Sequence, residues 1–281
     1  MVKIPSPNDF RQNFGQVKPQ YAVRLIVGDT VFAVNIFKTL EIIIFAHYVH
    51  DKITLFHPAM SLVSEKFVEK FCAYKLSCPS TVYYIPHYLS SDTSQHLLTS
   101  VYSAPRPKWK VLNNRRLQNW GGLPHPKGMI KESLPPWLNK HCTGLHDEGL
   151  FVDHKINHVL INEYTPGQGI DPHVDGPLFT PLIATLNLGS SCLIDFYTRK
   201  DEALVDEFSL FLEPGSLLVQ FGDVYERYLH GISELCEDTV HEKVANIELC
   251  DAKQGDIVQR GTRVSLTIRN VPKVSKFQLR L

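Results

Sequence analysis

The second half of this 281-residue chain is a run of short apolar segments that leaves little room for helices. From about residue 155 it reads "HVLINEYTPG", "LIATLNLGS", "CLIDFYTRK", "EFSLFLEPGSLLVQFG" and "RVSLTIRNVP". Each is rich in β-branched and aromatic residues, and Gly or Pro punctuates them. Such spacing reads as the strands of a sandwich or barrel. The expected class is mainly β with flanking helices. Within "PGSLLVQFGD" we read strand, turn and strand. Two polar stretches interrupt the series. Residues 198–207, "TRKDEALVDE", are read as an insert joining two strands. Residues 233–256 are acidic and are read as a long mobile loop.

The upstream half supplies the flanking helices. "SEKFVEKFCAYKL" (64–76) predicts a short helix capped by Ser64, with Phe67, Val68, Phe71 and Tyr74 on one face. "TVYYIPHYLS" (81–90) predicts a strand, and "SDTSQHLLTSVYSA" (91–104) a capped amphipathic helix with Leu97, Leu98 and Val101 inward. Residues 1–78 carry no motif to which chemistry attaches, so we divide the chain into an extension, 1–78, and a main domain, 79–281. Met60 stands near that boundary, and residues 1–59 are read as an extension particular to one form of the protein.

Bulk properties narrow the function. The 29 basic and 29 acidic residues cancel, so affinity for a polyanion must rest on a local patch. The apolar window 31–49 is broken by Asn35, Lys38 and Glu41 and falls short of the roughly 18 apolar residues of a spanning helix. We therefore expect no membrane association. Six cysteines without a CxxC pair or a secretory signal point to free thiols in the cytoplasm or nucleus and against structural zinc. A monomer is expected.

The chemistry-bearing candidates lie on the β segments. In "GIDPHVDGPL", His173 and Asp175 are two apart and share a face if the chain is extended. An isolated His-x-Asp is ordinarily a hydrogen-bonded turn. A ferrous oxygenase site needs a second histidine from another strand, leaving open positions for cosubstrate and O2. His230, 55 positions after Asp175, is the best downstream choice, because His241 lies in the acidic stretch. The last segment, "RVSLTIR", puts Arg263, Ser265, Thr267 and Arg269 on one face. Two guanidiniums facing a barrel interior need anions, and a dicarboxylate would serve. A solvent-facing edge strand is the competing reading. Asn162 and Tyr164, 11 and 9 positions before His173, also share a face and could hydrogen-bond a carboxylate.

Taken in order, N-x-Y, H-x-D, a later His and R-x5-R resemble the AlkB family of Fe(II)/2-oxoglutarate-dependent dioxygenases. "LQNWGGLPHPKGM", "LPPWL", "HVDGPLF" and "LIDFY" are most similar to its sixth mammalian-type branch. The resemblance covers about 79–281. It implies a double-stranded β-helix (jelly roll), with Fe(II) on His173, Asp175 and His230. It also implies 2-oxoglutarate on Asn162, Tyr164, Arg263, Ser265 and Arg269, with O2 as the second cosubstrate. Ser265 stands where the bacterial member has asparagine, and the interval 231–262 is longer than the bacterial one. The implied reaction oxidises 2-oxoglutarate to succinate and CO2 while a substrate C–H is hydroxylated. On an N-methyl group, the hemiaminal collapses to formaldehyde and the free amine.

Residues 106–116 hold Arg106, Lys108, Lys110, Arg115 and Arg116 with no acid between them, and Trp109 and Trp120 lie close by. Basic residues interleaved with aromatics suit single-stranded or flipped-base nucleic acid. Arg115, Arg116, Gln118 and Trp120 are the candidate substrate contacts, and alkylated DNA or RNA is the expected partner. A solvated hairpin around a core tryptophan is the competing reading. Two other functions fit the same residues: the same oxidation on a protein or small molecule, or a weakly active nucleic-acid-binding module.

Overall fold

The computed structural model describes residues 21–27, 30–36, 62–77, 79 and 81–275. The chain divides into two units, Met1–Ser61 and Leu62–Leu281. In the first, β1 (Tyr21–Val27) and β2 (Thr30–Ile36) pair antiparallel. The start of the apolar window is thus strand, while 37–49 and Met60 lie outside the described residues. Among the described residues no helix is long and apolar enough to cross a membrane.

The second unit begins earlier than residue 78. Its helix α1 (Glu65–Phe71) is capped by Ser64, whose hydroxyl accepts from the Phe67 N–H, and it buries Phe67 and Phe71. The Phe67 ring meets that of Tyr83 edge-on at 5.3 Å, so this helix packs on β3 (Val82–Ile85). Helices α2 (Ser91–Tyr102) and α3 (Pro136–Asp147) bury Leu97, Val101, Leu138 and Leu145.

Two sheets face each other. The larger has seven strands in the order β3, β11 (Leu217–Phe221), β8 (Leu182–Leu188), β15 (Arg263–Arg269), β6 (His158–Tyr164), β5 (Arg116–Trp120) and β4 (Trp109–Val111). The smaller orders β10 (Ala203–Leu212), β9 (Cys192–Lys200), β12 (Leu229–Ile232) and β7 (Ile170–His173). Between them Phe196, Phe208, Ile194 and Leu212 of the smaller sheet pack against Tyr84, Leu218 and Tyr164 of the larger. Strands crossing from sheet to sheet around one core make this a jelly roll.

The last described strand, β15, is central rather than an edge. It pairs with β6 on one side and β8 on the other. Val264, Leu266 and Ile268 are at most 1% exposed on one face, each burial contributing roughly 1.5–3 kcal/mol. The opposite face, with its arginines, turns to the space between the sheets.

Three local expectations are corrected. Residues 198–207 are no insert: β9 and β10 continue through them as a ribbon, and Asp201 and Glu202 form its two-residue turn with φ of 48° and 66°. Residues 233–256 pack rather than wave. Val240 and Val244 are buried against Leu193 and Phe211, and Asp238 forms a buried ion pair with Arg260. Within this stretch β13 (Glu237–Thr239) pairs with β14 (Ile257–Gln259). After β11 the chain enters a short helix, α4 (Asp223–Arg227), instead of a second strand.

Candidate metal centre and cosubstrate pocket

The elements that carry the candidate residues converge on one cavity of about 800 Å³. His173 ends β7 and His230 lies on β12, and the antiparallel register sets the two directly opposite. Their ring centroids are 4.5 Å apart. The close approach depends on Gly169, where a Cβ would stand 2.1 Å from the Ile232 carbonyl oxygen. Asp175 follows β7. Its Oδ2 is 3.5 Å from His230 Nε2, and its Oδ1 accepts from Arg269 Nη1 at 2.7 Å. The chain then turns at Gly176, whose φ of +87° suits glycine. The Tyr225 hydroxyl of α4 donates to the Gly176 carbonyl at 2.7 Å.

One of these imidazoles is oriented by a hydrogen bond and the other is kept neutral by burial. His173 Nδ1 lies 2.9 Å from the Asp171 carbonyl oxygen, a contact that makes Nδ1 the N–H and presents the Nε2 lone pair. Burial lowers His230 to about 4, against a smaller upward pull from Asp175. Among the described residues no three His, Cys, Asp or Glu side chains are already spaced as a chelate. The cluster is instead closed on itself, with the carboxylate shared between Arg269 and His230.

Deeper in the cavity, Asn162, Tyr164, Arg263, Ser265, Thr267 and Arg269 all line the wall. The register pairs Arg263 with Tyr164 and Ser265 with Asn162 across β15 and β6. The arginines differ in their partners. Arg269 holds Asp175 and stacks on Phe179 at 4.1 Å. Arg263 donates to the Asn187 amide oxygen at 2.7 Å and lies over the Tyr164 ring. It is 5% exposed, has no carboxylate partner among the described residues, and its Nε is without a hydrogen bond there. A buried cation in this state calls for an anion in the cavity.

The four candidate substrate residues are separated. Arg115 lines the cavity and its Nε donates to Asn162 Oδ1 at 3.2 Å. Arg116, Gln118 and Trp120 lie outside the cavity lining. Arg116 grips Glu163 with two hydrogen bonds, 2.5 and 2.9 Å, and lies over Trp109. Gln118 is fully buried, donating to the Val101 carbonyl and accepting from Trp120 Nε1. Sequence reasoning gave no role to Phe179, although "HVDGPLF" ends on it, and missed Tyr225 and Asn187, whose positions carry no local motif. His241 lies against Ser209 at 3.5 Å, apart from the cavity.

Residues 103–269 match the family described as the 2OG-Fe(II) oxygenase superfamily. The chain is 46% identical over 224 residues to a Danio rerio protein named Probable RNA/DNA demethylase ALKBH6, covering 76% of this chain and 93% of that one. It is 27% identical over 195 residues to Uncharacterized protein L905 of Acanthamoeba polyphaga mimivirus, covering 67% and 84%. A solved oxidoreductase of the 2OG-Fe(II) oxygenase family from Burkholderia pseudomallei aligns with a TM-score of 0.46 and 10% identity, over 76% of this chain and 97% of that one.

Proposed function

The chain belongs to the 2OG-Fe(II) oxygenase superfamily, in its AlkB branch, and on that premise we propose that it oxidatively demethylates an alkylated base in nucleic acid. It is an oxidoreductase using Fe(II), 2-oxoglutarate and O2. The bound iron and 2-oxoglutarate supply the oxidising power that O2 alone lacks towards a C–H bond.

His173, Asp175 and His230 are the residues that would hold the ferrous ion. The donor set fits: two imidazoles and one carboxylate are the facial triad of such sites. The Asp171 contact orients one imidazole and burial keeps the other neutral. Arg269 fixes one carboxylate oxygen and Tyr225 anchors the turn behind it. Arg263, Ser265, Asn162 and Tyr164 would hold 2-oxoglutarate, with Arg263 meeting a carboxylate. The uncompensated Arg263 guanidinium beside the two-histidine, one-carboxylate cluster is the observation that carries this reading.

Two things support nucleic acid as the substrate. The Danio rerio relative bears the name of an RNA/DNA demethylase. The cavity rim presents exposed Val111 and Val174 with Asn113 and Arg115, apolar and donor groups that suit the face and edge of an unstacked base. Free thiols at all five described cysteines support a reducing compartment, cytoplasm or nucleus.

The test is aerobic turnover with Fe(II) and 2-oxoglutarate on a mixture of methylated single-stranded oligonucleotides. We expect formaldehyde in step with succinate, and neither from His173→Ala. Formaldehyde from methylated peptides but from no oligonucleotide would move the substrate to protein. Equal succinate from His173→Ala would end the reading of the site.

A further inference from the structure

We propose that Arg115 is a positioning residue for 2-oxoglutarate: it locks the Asn162 amide with its NH2 group towards the cosubstrate. This rests on the reading of Asn162 as a 2-oxoglutarate contact, and goes beyond it by giving Arg115 a task inside the cosubstrate site.

The argument begins with the two ends of an amide. Oδ1 accepts and Nδ2 donates, and the two are nearly equal in shape, so partners alone decide which end faces where. A cosubstrate carboxylate can be met only by the donating end. A guanidinium carries donors and no acceptor, so it can bind only Oδ1. Arg115 Nε makes that contact at 3.2 Å, and Nδ2 is left as the polar atom Asn162 offers the cavity. With Arg115 gone, the amide is free to turn its oxygen towards a carboxylate, where two acceptors repel.

Arg115 is itself held. It closes the β4–β5 turn by accepting the Leu112 N–H on its carbonyl at 2.8 Å. Next to it in the same turn, Asn114 hydrogen-bonds Glu234, two residues beyond β12. Adjacent strand residues point to opposite faces, so Arg116 goes the other way, to Glu163. Of this arginine pair, only Arg115 lines the cavity.

The test is calorimetric titration of 2-oxoglutarate into the full chain loaded with Mn(II), with no nucleic acid present. The variants are Arg115→Ala, Asn162→Ala and the double substitution, with Arg115→Met as a length-preserving second choice if alanine unfolds the turn. Thermal unfolding checks the fold of each. We expect each single change to weaken binding on the order of tenfold, the size of one charge-assisted hydrogen bond. The double variant should bind within about twofold of Asn162→Ala, because coupled residues do not add. Wild-type affinity in Asn162→Ala would overturn the cosubstrate reading and this proposal with it. Weak binding in Asn162→Ala with unchanged binding in Arg115→Ala would overturn the proposal alone. Additive losses would do the same, making Arg115 a direct attraction for the dianion.

Discussion

At the scale of residues, the buried polar groups of the cavity divide by whether the chain itself supplies their partner. Arg269 has Asp175, and Arg263 has an amide and an aromatic ring but no anion. His158, outside the cavity lining, is a third case. It is 1% exposed, both ring nitrogens lack hydrogen bonds, and its ring lies 5.8 Å from Phe179. Burial, aided by nearby Arg269, lowers it to about 3. An unfolded histidine titrates near 6.5, so between those values the unfolded chain takes a proton that the native state refuses. Stability is therefore undiminished above about pH 6.5 and falls as pH drops towards 3. Thermal unfolding of His158→Leu should show a melting temperature at pH 7 equal to or above wild type, because two unsatisfied nitrogens cost about 1–3 kcal/mol. Its loss of melting temperature between pH 7 and pH 5 should be smaller. An unchanged pH 5 loss would refute the assignment. Residue chemistry of this kind was only partly legible. The alternation of "RVSLTIR" gives the cavity face directly, because period 2 is local. The bond from Arg115 to Asn162 spans 47 positions and depends on strand register, which no spacing reveals.

At the scale of elements, the site exists where β7 and β12 come close enough to oppose two histidines. Gly169 sets that distance, because any side chain there would collide with the Ile232 carbonyl. Gly169→Ala should remain folded on the core of the two sheets, yet bind Co(II) at least about tenfold more weakly than wild type, in line with the cost of misplacing a metal-ligand support. Titration followed by the cobalt absorption bands would measure it, and wild-type affinity would show that the strands have room to spare. The misread elements have one physical cause. Residues 233–256 look solvated because seven acids stand there against two lysines. Yet Asp238 is neutralised by Arg260, and Val240 and Val244 find Leu193 and Phe211. Residues 198–207 look like a linker because they are polar, but a ribbon that leaves Leu204 and Val205 exposed needs no apolar face of its own.

At the scale of the whole molecule, all candidate metal and cosubstrate residues lie in the unit from Leu62 to Leu281. A protein consisting of that unit should bind Mn(II) and 2-oxoglutarate within about twofold of the full chain, because it supplies every candidate ligand itself. Calorimetry on both would decide, and a larger loss would give the first 61 residues a share in the site. The architecture was legible as short strands and a few capped helices, because turn residues and alternation are written locally. The order of the strands was not, since it depends on pairings between distant parts of the chain.

That order has a consequence for how the protein is made. Strand β15, which follows the other six strands of its sheet in sequence, is inserted between β8 and β6 and joins two otherwise separate three-stranded pieces. Until it arrives, each piece bares an unpaired border prone to sticking, and neither Arg263 nor the Asp175 clamp is in place. A chain cut short before residue 263 is left as two raw-edged halves, without the guanidinium that holds Asp175.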